Sequence, residues 1–546
     1  MAVTTNLSVF DAADSSGKWA ELAGHLSGGA PAATSENYWQ NGTAVDQSTG
    51  QAVGTSAGMQ CDFGSTLSWT GSSKWVFLTW SKYDAATNIQ TWANGGFRIG
   101  IGTSSGNMDF VNAYGSDFSP YPAGGWISVA IDPEVAFASP DASDGSGLTS
   151  GSYRVIGFLP NTLAKVTKGS PIVADIIRYG RGDIVVTGTE TFSSMATADN
   201  TATVRWGLFI PKATGIYEWK GLMSLGTSGT SVSLTDANKT ILVQDTPRVS
   251  AGFNKIEVSN ASSTVSLDSV TIQGVQTSIT GSSPISPGDF EAIANATITL
   301  SSCTFVDLGT FIFQSNTTVT GTIFRRCGTI TQGGATITNC NIVNADVTSS
   351  ALISTTSTMG NVTGCTFVSD GTGHAINLGN VTSSTSFNWN NYLDDGAGSE
   401  WTGTTGTTSG TSGTANDAIL VNVSSDQTLT INVGTGYTIP TVQNTGTGNV
   451  TIQAAGVTID VTVKDQSGSP VNTAYVYIDD DLGVAGQIFN GTTNASGVIT
   501  QQSYSGAATS ATLRVRKYGY KPYVGTISLT SNSNTNVTLI TDPQQT

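Results

Sequence analysis

Charged side chains are scarce in this chain of 546 residues. Asp, Glu, Lys and Arg make up 11% of the sequence, against about 25% in an average globular protein. Only 22 Lys and Arg stand beside 38 Asp and Glu, so the chain lacks the cations that neutralise nucleic-acid phosphates. We therefore expect no nucleic-acid partner. The hydrophobic fraction is still 38% at a net charge of −16, a combination that argues against a disordered chain.

Histidine and cysteine are also few. The two histidines, His25 and His374, and the absence of a CxxC motif argue against a zinc site. The five cysteines, at positions 61, 303, 327, 340 and 365, are odd in number and too sparse for the disulfide framework of a secreted domain. We expect reduced, mostly buried thiols, and we assign no metal, no cofactor and no catalytic residue.

Long apolar runs are missing. No stretch of about 18 apolar residues occurs, which predicts no transmembrane helix and no membrane partner. The N-terminal residues 1–6 show neither the basic nor the apolar region of a signal peptide, so we expect synthesis in a cytoplasm. The acidic composition, rich in Ser and Thr, is nevertheless typical of an exposed surface. A virion protein released by host lysis satisfies both observations.

The abundant residues favour strands. Thr, Val, Ile, Ser and Gly, with 64 glycines, suit pleated strands and tight turns better than long helices. We therefore predict an all-β chain. Residues 1–215 carry eight of the eleven tryptophans and alternating runs such as Phe97, Ile99 and Ile101 on one strand face. Irregular turn spacing without a helical period predicts a jelly-roll-like antiparallel sandwich here.

Glycine pairs precede aromatic residues at two points of this N-terminal region. They are Gly95-Gly96-Phe97 and Gly124-Gly125-Trp126, and both follow a Trp-rich strand that starts near residue 74. The layout resembles the concanavalin-type jelly rolls of lectins and glucanases, although no metal or catalytic motif accompanies it. Core packing explains most of the tryptophans. Trp92, beside the turn that begins at Asn94, is the candidate for a sugar-stacking ring, so Trp92 and Asn94 are the predicted glycan contacts.

An internal repeat organises residues 216–395. A small or thiol residue, a polar residue and a large apolar residue recur, as in Cys303-Thr304-Phe305. Successive copies are separated by 33, 19, 18 and 25 residues, and their equivalent positions are Val270, Cys303, Thr322, Cys340 and Cys365. Residues i and i+2 share a strand face, and steps of this length accommodate three short strands and three turns.

This repeat resembles the right-handed parallel β-helix of the pectate-lyase-like and phage-tailspike families. The resemblance implies that the repeat positions form an interior ladder, in which the thiols act as small hydrophobic groups. A leucine-rich-type repeat is the rival interpretation. The strand-only composition and the missing Leu consensus argue against it.

The sequence changes again after residue 395. Residues 396–456 begin as a Gly/Thr/Ser linker, and the short strands that follow either extend the repeat or form a small β-module. Residues 457–546 then contain Val463-Lys464-Asp465, Gly468-Ser469-Pro470-Val471, Ala474 and Tyr518-Gly519-Tyr520. This pattern resembles the carboxypeptidase-regulatory-like family, a transthyretin-like (Ig-like) β-sandwich. The resemblance implies a turn from Asp465 to Gly468 and a module without catalytic activity.

The sequence shows no recognisable catalytic motif. Catalytic β-helices use paired carboxylates on one face, and the repeat region offers no such pair from sequence alone among Asp268, Asp289, Glu291, Asp307, Asp346 and Asp370. Asp307 and Asp370 follow equivalent cysteines, which turn formation explains equally well. Asp479, Asp480 and Asp481 suit either a calcium site or a solvated turn. We predict that the chain is not an enzyme.

The resemblances together imply a structural component of a bacteriophage virion that contacts a surface: a tail fibre, a tailspike or a head-attached decoration protein. The implied partners are other virion proteins, a host surface glycan and two further copies in a homotrimer. A polysaccharide-degrading tailspike enzyme and a bacterial surface adhesin are the alternatives. An adhesin is expected to carry an export signal or a sorting motif, and we find neither.

Overall fold

A computed structural model describes residues 3–11, 16–21, 32–34, 44–47, 58–68, 77–82, 90–91, 94, 96–104, 106–114, 126–143, 152–160, 172–201, 204–226, 231–244, 253–274, 288–344, 350–369, 373–394, 401, 408–454, 456–481, 486–504, 510–529 and 532–544. The chain divides into a first unit, Met1–Val347, and a second unit, Thr348–Thr546. No helix in these ranges is long and apolar enough to cross a membrane.

In the described residues, the first part of the first unit contains thirteen strands and one short α-helix, α1, which follows β10. Asp132 precedes the helix α1, and its carboxylate accepts a hydrogen bond from the backbone N–H of Glu134 at 3.1 Å, as an N-cap residue does. The elements are β1 Val3–Thr4, β2 Ser8–Asp11, β3 Trp19–Glu21, β4 Ala32–Thr34, β5 Ala44–Gln47, β6 Met59–Ser68, β7 Phe77–Lys82, β8 Phe97–Ser104, β9 Asn107–Tyr114, β10 Trp126–Ile131, α1 Pro133–Ala136, β11 Ala142–Ser143, β12 Ser152–Pro160 and β13 Ile172–Tyr179.

All of these strands except β1 form an antiparallel sandwich. One sheet has the order β10-β7-β13-β5-β4, with β2 beside β13, and the other has the order β11-β9-β8-β12-β6-β3. Phe97, Ile99 and Ile101 of β8 are fully buried, and they share one core with Val129 and Ile177 of the facing sheet. The period-two alternation therefore places one face of each sheet in a common core.

Mostly parallel strands follow the sandwich. A helix, α2, lies near their start. The elements are β14 Asp183–Val186, β15 Thr189–Glu190, α2 Phe192–Asp199, β16 Asn200–Thr201, β17 Val204–Arg205, β18 Phe209–Ala213, β19 Ile216–Trp219, β20 Leu222–Leu225, β21 Ser233–Ala237, β22 Thr240–Val243, β23 Lys255–Val258, β24 Thr264–Asp268, β25 Thr271–Gln273, β26 Asp289–Ala292, β27 Thr297–Ser301, β28 Thr304–Val306, β29 Phe311–Ile312, β30 Thr317–Thr320, β31 Ile323–Arg325, β32 Ile330–Thr331, β33 Thr336–Thr338 and β34 Asn341–Asn344.

From β20 to β34, each strand pairs in parallel with the strand three places later in the chain. The ladders are β20-β23-β26-β29-β32, β21-β24-β27-β30-β33 and β22-β25-β28-β31-β34. We call this arrangement the parallel stack and three consecutive strands a coil. β14 joins it by pairing in parallel with β20. The parallel pairing thus starts at Asp183, before residue 216 of the sequence-based division.

Apolar residues fill the stack from alternate strand positions. Phe290 lies on Phe311 of the next coil with ring centroids 6.3 Å apart, and Phe305 lies on Phe324 at 5.3 Å. All four rings are buried. Equivalent side chains of adjacent coils therefore pack on each other, as the spacing of parallel strands requires.

A left-handed residue turns the chain between the second and third strand of successive coils. The backbone N–H of Ser302 donates to the carbonyl of Thr320 at 2.9 Å, and that of Gly321 donates to Thr338 at 3.0 Å. These hydrogen bonds keep the ladder continuous across the bend. Equivalent positions have φ between 52° and 59°, and they are Asn238, Ser269, Ser302, Gly321 and Asn339.

The second unit has its own parallel ladders and a separate sandwich. A 3-10 turn lies at Met359–Asn361. The strands are β35 Leu352–Ile353, β36 Val362–Ser369, β37 Ile376–Val381, β38 Thr385–Asp394, β39 Thr408–Ser409, β40 Ile419–Val423, β41 Thr428–Val433, β42 Val442–Asn444, β43 Asn449–Ala454, β44 Val457–Asp465, β45 Tyr475–Asp479, β46 Gln487–Thr492, β47 Gln502–Tyr504, β48 Ser510–Arg516, β49 Tyr523–Ser528 and β50 Ser533–Leu539.

The strands after the predicted linker join these ladders. Their parallel orders are β35-β37-β40-β42 and β36-β38-β41-β43, with β39 antiparallel to β43. The side chain of the buried residue Asn444 makes four hydrogen bonds to the backbone of these strands and their turns. Its Oδ1 accepts from the N–H groups of Val423 and Gly446. Its Nδ2 donates to the carbonyls of Gly410 and Gly448. Of the two interpretations left open by the sequence, residues 408–454 therefore follow the parallel pairing.

Residues 457–544 form a second sandwich. Its sheets have the orders β47-β44-β50 and β46-β45-β48-β49. The turn implied by the family resemblance is present: the N–H of Gly468 donates to the carbonyl of Asp465 at 3.0 Å, and Gly468 has φ +83°. Ala474 is fully buried in the core between the sheets, where a small side chain lets them approach. Strands thus dominate both units, and the predicted all-β class is confirmed.

Candidate functional site

The repeat positions of the first unit lie on one interior ladder. Thr304 pairs with Thr271, Ile323 with Thr304, and Asn341 with Ile323, so the residues immediately before them stack. The stacked residues are Val270, Cys303, Thr322 and Cys340, each at most 2% exposed. Cys365 belongs to the second unit and is fully buried there.

The thiols of this region are held against backbone carbonyls. Sγ of Cys303 donates to the carbonyl of Leu267 at 3.3 Å, and Sγ of Cys340 donates to that of Thr338 at 3.3 Å. Cys327, which the repeat alignment did not include, donates to the carbonyl of Phe305 at 3.5 Å. Burial raises the pKa of Cys303 and raises that of Cys327 to about 12, so these thiols stay protonated near neutral pH.

Of the two predicted glycan contacts, the structure describes only Asn94. Asn94 is exposed, and its Nδ2 donates to Oγ1 of Thr91 at 2.9 Å, which closes the turn. Trp92 lies outside the described residues. Nothing in the described part of this turn therefore argues for or against a stacking ring.

Asp307, a carboxylate noted from sequence, is bound to an arginine of the next coil. Nε of Arg326 donates to its Oδ1 at 2.6 Å, and a terminal nitrogen of Arg326 donates to Oδ2 at 2.8 Å. Both residues have left-handed backbones, with φ 54° and 50°. This two-bond pair ties adjacent bends together, and it explains Asp307 as a turn residue. Asp370 lies outside the described residues.

His374 also has a local partner. Its Nδ1 lies 2.6 Å from the carbonyl oxygen of Asp417 within the second unit. A carbonyl can only accept, so Nδ1 carries the proton in this arrangement. The ring is half-buried, and this contact orients it toward the loop before β40.

A compact group of charges lies on the outer face of the stack, and we call it the Lys255 cluster. It contains Lys255 and Glu257 of β23 and Asp289 and Glu291 of β26. Lys255 pairs in register with Asp289, and Glu257 pairs with Glu291. The intervening residues Ile256 and Phe290 point into the core, so the four charged side chains occupy neighbouring positions on one face.

Lysine joins the two glutamates of this cluster. Nζ of Lys255 lies 2.6 Å from Oε2 of Glu291 and 3.9 Å from Oε2 of Glu257. On its other side, Glu257 lies 3.6 Å from Arg181, which is 3.7 Å from the buried Asp183. Positive and negative groups therefore alternate along the ladder, which limits the repulsion between the carboxylates.

Asp289 has the most perturbed environment in the cluster. Burial raises its pKa, while hydrogen bonds from the backbone N–H of Thr310 at 2.6 Å and from its hydroxyl at 3.3 Å oppose that rise. Gly309 is required beside it, because a Cβ there would lie 1.9 Å from Oδ1 of Asp289. An acid of raised pKa beside other carboxyl groups is an arrangement that acid–base catalysis uses.

A second charged group is fully enclosed. Asp175, Arg178, Asp199 and Lys220 are each at most 2% exposed. They join β13 of the sandwich to α2 and to the corner before β20. Nζ of Lys220 donates to the carbonyl of Ser128 at 2.8 Å. Burial lowers the pKa of Lys220 well below its usual value and lowers that of Arg178 to about 10. The group is inaccessible to substrate and fits a structural role.

Asp199 shows why this group tolerates burial. Its carboxylate accepts hydrogen bonds from the backbone N–H groups of Gly207 at 2.7 Å, Leu208 at 2.8 Å and Phe209. Burial raises its pKa to about 6, although these three donors and Arg178 oppose the rise. The carboxylate thus satisfies three consecutive backbone donors at the start of β18.

The aspartate triplet of the second unit does not converge. Asp479 accepts from the hydroxyl of Tyr477 at 2.5 Å, Asp480 from that of Tyr504 at 2.8 Å, and Asp481 from that of Thr512 at 2.5 Å. Three different partners thus hold the three carboxylates. In the ranges that the structure describes, no group of three or more His, Cys, Asp or Glu side chains is arranged to hold a metal ion.

Sequence reasoning missed Glu257 and Lys255. It noted Asp289 and Glu291 but found no partner for them. The usable signal was the repeat itself: Lys255-Ile256-Glu257-Val258 and Asp289-Phe290-Glu291-Ala292 share the pattern charged, apolar, charged, apolar. They are separated by 34 residues, close to the 33-residue step from Val270 to Cys303. That match predicts a shared coil position.

Comparisons with known proteins leave the family open. No protein-family model matches the chain, and no curated protein matches it significantly. Among solved structures, the crystal structure of the Agl-KA catalytic domain aligns with 84% of this chain and 90% of that chain, at 10% identity and a TM-score of 0.22. Similarity this weak supports no inference about fold or activity.

Proposed function

We propose that this protein is a structural component of a bacteriophage virion that contacts a surface without cleaving it. In this proposal the parallel stack is a right-handed β-helix. The position in the particle is that of a tail fibre, a tailspike or a head-attached decoration protein. Its partners are other virion proteins and a glycan of the host surface.

One observation carries the proposal: the coil-to-coil register of the stack holds without interruption from β20 to β34. Repeats that contact only their neighbours build extended supports, and here apolar rings and thiols fill the interior at equivalent positions. The ion pair between Asp307 and Arg326 links bends of adjacent coils. The apolar rings, the thiols and this ion pair therefore all stabilise the contact between adjacent coils.

The experiment is to locate the chain in purified particles. Antibodies against the recombinant full-length protein, coupled to gold, are applied to phage particles and to host envelope fractions. The proposal expects labelling at a fixed site on the particle. Labelling confined to the host envelope would contradict it and favour the bacterial adhesin.

The oligomeric state is a separate part of the proposal. Closed cyclic symmetry is the rule for such assemblies, and the tailspike resemblance favours a homotrimer. Light scattering of the purified full-length chain is expected to give three times the chain mass. A monomer at every concentration tested would contradict the trimer and leave the virion assignment to the labelling experiment.

The Lys255 cluster supports a second candidate function, glycan cleavage. Asp289 would protonate the leaving-group oxygen, and Glu257 or Glu291 would act as the base or nucleophile on the other side of the bond. The observation that favours it is the raised pKa of Asp289 beside ionisable groups on the same face.

Release of reducing ends from host capsule or lipopolysaccharide distinguishes the two functions. Steady release that is lost in both Asp289→Asn and Glu291→Gln, but retained in Asp307→Asn, would establish the enzyme. The primary proposal expects no release by the unmodified protein at any pH between about 4 and 8, the range in which carboxylate pairs work.

A further inference from the structure

We propose that the outer face of the sheet β46-β45-β48-β49 binds an acidic polysaccharide, with a sugar carboxylate on each of two arginines. This inference rests on the proposed surface-contact function and names the ligand class for it. We call this surface the tyrosine–arginine face. It is defined by Tyr475, Tyr477, Arg514, Arg516 and Asn490.

Strand register brings these residues together. Tyr475 of β45 lies opposite Arg516 of β48, and Tyr477 lies opposite Arg514. The alternate residues Val476, Leu513 and Val515 are fully buried in the sandwich core, so the tyrosines and arginines all point away from it. The face therefore repeats one tyrosine–arginine pair in two consecutive rows, which are about 7 Å apart along the strand.

The tyrosine rings lie along the sheet. The hydroxyl of Tyr475 donates to Oδ1 of Asn490 at 2.6 Å, and Asn490 sits opposite Tyr477 on β46. The hydroxyl of Tyr477 donates to Asp479 on its own strand at 2.5 Å. Each hydroxyl thus reaches the next row, which requires the ring to lean over the strand. Tyr475 remains 43% exposed, which is consistent with a ring face open to a sugar.

The arginines are available. Arg514 and Arg516 are exposed, and among the described residues neither guanidinium makes a hydrogen bond or an ion pair. They are two of four cations within residues 514–521, in a chain that has only 22. Guanidinium groups bind carboxylates through two parallel hydrogen bonds. Exposed arginines outside any hydrogen bond or ion pair, on an otherwise acidic protein, indicate an anionic ligand.

Charge along the face favours a sugar acid over a phosphate chain. Asp479 occupies the row after Tyr477, and its field reaches Arg514. A polyphosphate chain offers this carboxylate only anionic acceptors, which it repels. A sugar chain instead offers hydroxyls to Asp479 and Asn490, and it places one carboxylate per ring on the arginines. The ligand that fits is a polysaccharide of uronic-acid type.

The test measures binding of the full-length protein to polygalacturonate by biolayer interferometry at about 0.15 M salt, where weak surface attraction is screened. The fully methyl-esterified polymer is the neutral control. We expect the acid to bind and the ester to bind at least about tenfold more weakly, because a charge-assisted hydrogen bond contributes about that factor. Equal binding of the two polymers, or no binding of either, would overturn the proposal.

Matched variants locate the site. Arg514→Gln and Arg516→Gln are each expected to weaken binding about tenfold. Arg325→Gln, which removes another exposed arginine, in the parallel stack, is expected to leave the binding unchanged. Equal losses in all three variants would mean a net-charge effect and contradict the site.

Two other occupants are outcomes of the same experiment. Tighter binding of oligo-dT than of polygalacturonate, lost in the same two variants, would identify a polynucleotide face and overturn the proposal. Self-association that disappears in Arg514→Gln would identify a second copy of the chain as the occupant and overturn it too. Gold labelling of particles is independent of these results, so failure here leaves the virion proposal standing.

Discussion

Burial controls the reactivity of the cysteines. All five, at positions 61, 303, 327, 340 and 365, are buried and outside any disulfide, and burial raises the pKa of Cys303 and Cys327. We predict that the native protein reacts with none of its thiols during a brief exposure to iodoacetamide at about pH 8, a pH at which an exposed thiol is partly ionised. Mass spectrometry is expected to count five labels only after unfolding. Rapid native labelling of Cys303 or Cys327 would contradict the interior ladder.

Asp199 is expected to make stability depend on pH. Its folded pKa of about 6 lies above the usual 3.8, so between these values the folded state binds more protons than the unfolded state. Stability from this residue is therefore largest below about pH 4 and is lost as the pH rises through 6. Asp199→Asn removes this dependence and also leaves backbone donors of the 207–209 loop unsatisfied, at a cost of about 1–3 kcal/mol.

The measurement for Asp199 is the melting temperature of both proteins from pH 4 to 7 by scanning fluorimetry. The advantage of the unmodified protein over Asp199→Asn should shrink as the pH rises, because only the former loses a proton. A difference that grows with pH would show that the three N–H donors outweigh burial and that the pKa is lowered instead.

Residue-level chemistry was only partly predictable from sequence. The interior positions of Cys303 and Cys340 follow from the spacing of a repeat, which is local information. The enclosure of Asp199 and Lys220 has no such local signal, and Lys220 donates to the carbonyl of Ser128, 92 residues away in the sandwich. No local pattern marks them, because a buried charge and a surface charge have the same sequence context.

Left-handed bends define the coils at the scale of structural elements. Gly321 has φ +59°, and the nearest atom to an added Cβ is Oγ of Ser302, 3.8 Å away. Gly321→Ala therefore meets no clash and is expected to cost about 1–2 kcal/mol from backbone strain alone. Ser302→Gly relieves the same strain at the equivalent bend and is expected to be neutral or stabilising.

Calorimetry of the full chain checks the bend prediction. Gly360→Ala is the matched control, because an added Cβ there meets no atom within 4 Å and its φ lies outside the left-handed range. We expect a lower transition temperature for Gly321→Ala and no decrease for Gly360→Ala. Equal effects of the two substitutions would show that the bend carries no strain.

The C-terminal sandwich is expected to fold by itself. Its core cluster runs from Val457 to Leu539 and contains no residue from the parallel ladders. A fragment of residues 457–546 should therefore be soluble, give a β-type circular dichroism spectrum and melt cooperatively. A fragment that is unfolded at 20 °C would show that this core needs the preceding ladders.

At this scale the sequence predicted which segments form strands better than it predicted which strands pair with each other. Alternation marked Phe97, Ile99 and Ile101 as a strand face because one face of a sandwich strand is buried. The start of parallel pairing at Asp183 was not marked, since β14 is buried throughout and reads like a sandwich strand. The strands after residue 408 were ambiguous for a related reason: short alternating strands suit a ladder and a module equally.

For the whole molecule, composition predicted the fold class but not the activity. Few charges and many β-branched residues led directly to strands. The placement of acids required the coil register, because Glu257 and Glu291 become neighbours only when a coil step brings β23 beside β26. The tyrosine–arginine face likewise depends on which strand lies beside β45. Activity depends on which side chains become neighbours in the fold, and the amino-acid composition carries no information about that.

The central claim is that this chain is built into virus particles, and quantitative mass spectrometry of purified phage tests it most directly. Heavy-isotope peptides of the full-length protein give its copy number relative to the major capsid protein. The account predicts a constant copy number across preparations and salt washes, divisible by three for a homotrimer. Absence of the chain from intact particles, or trace amounts that fall with each wash, would contradict it.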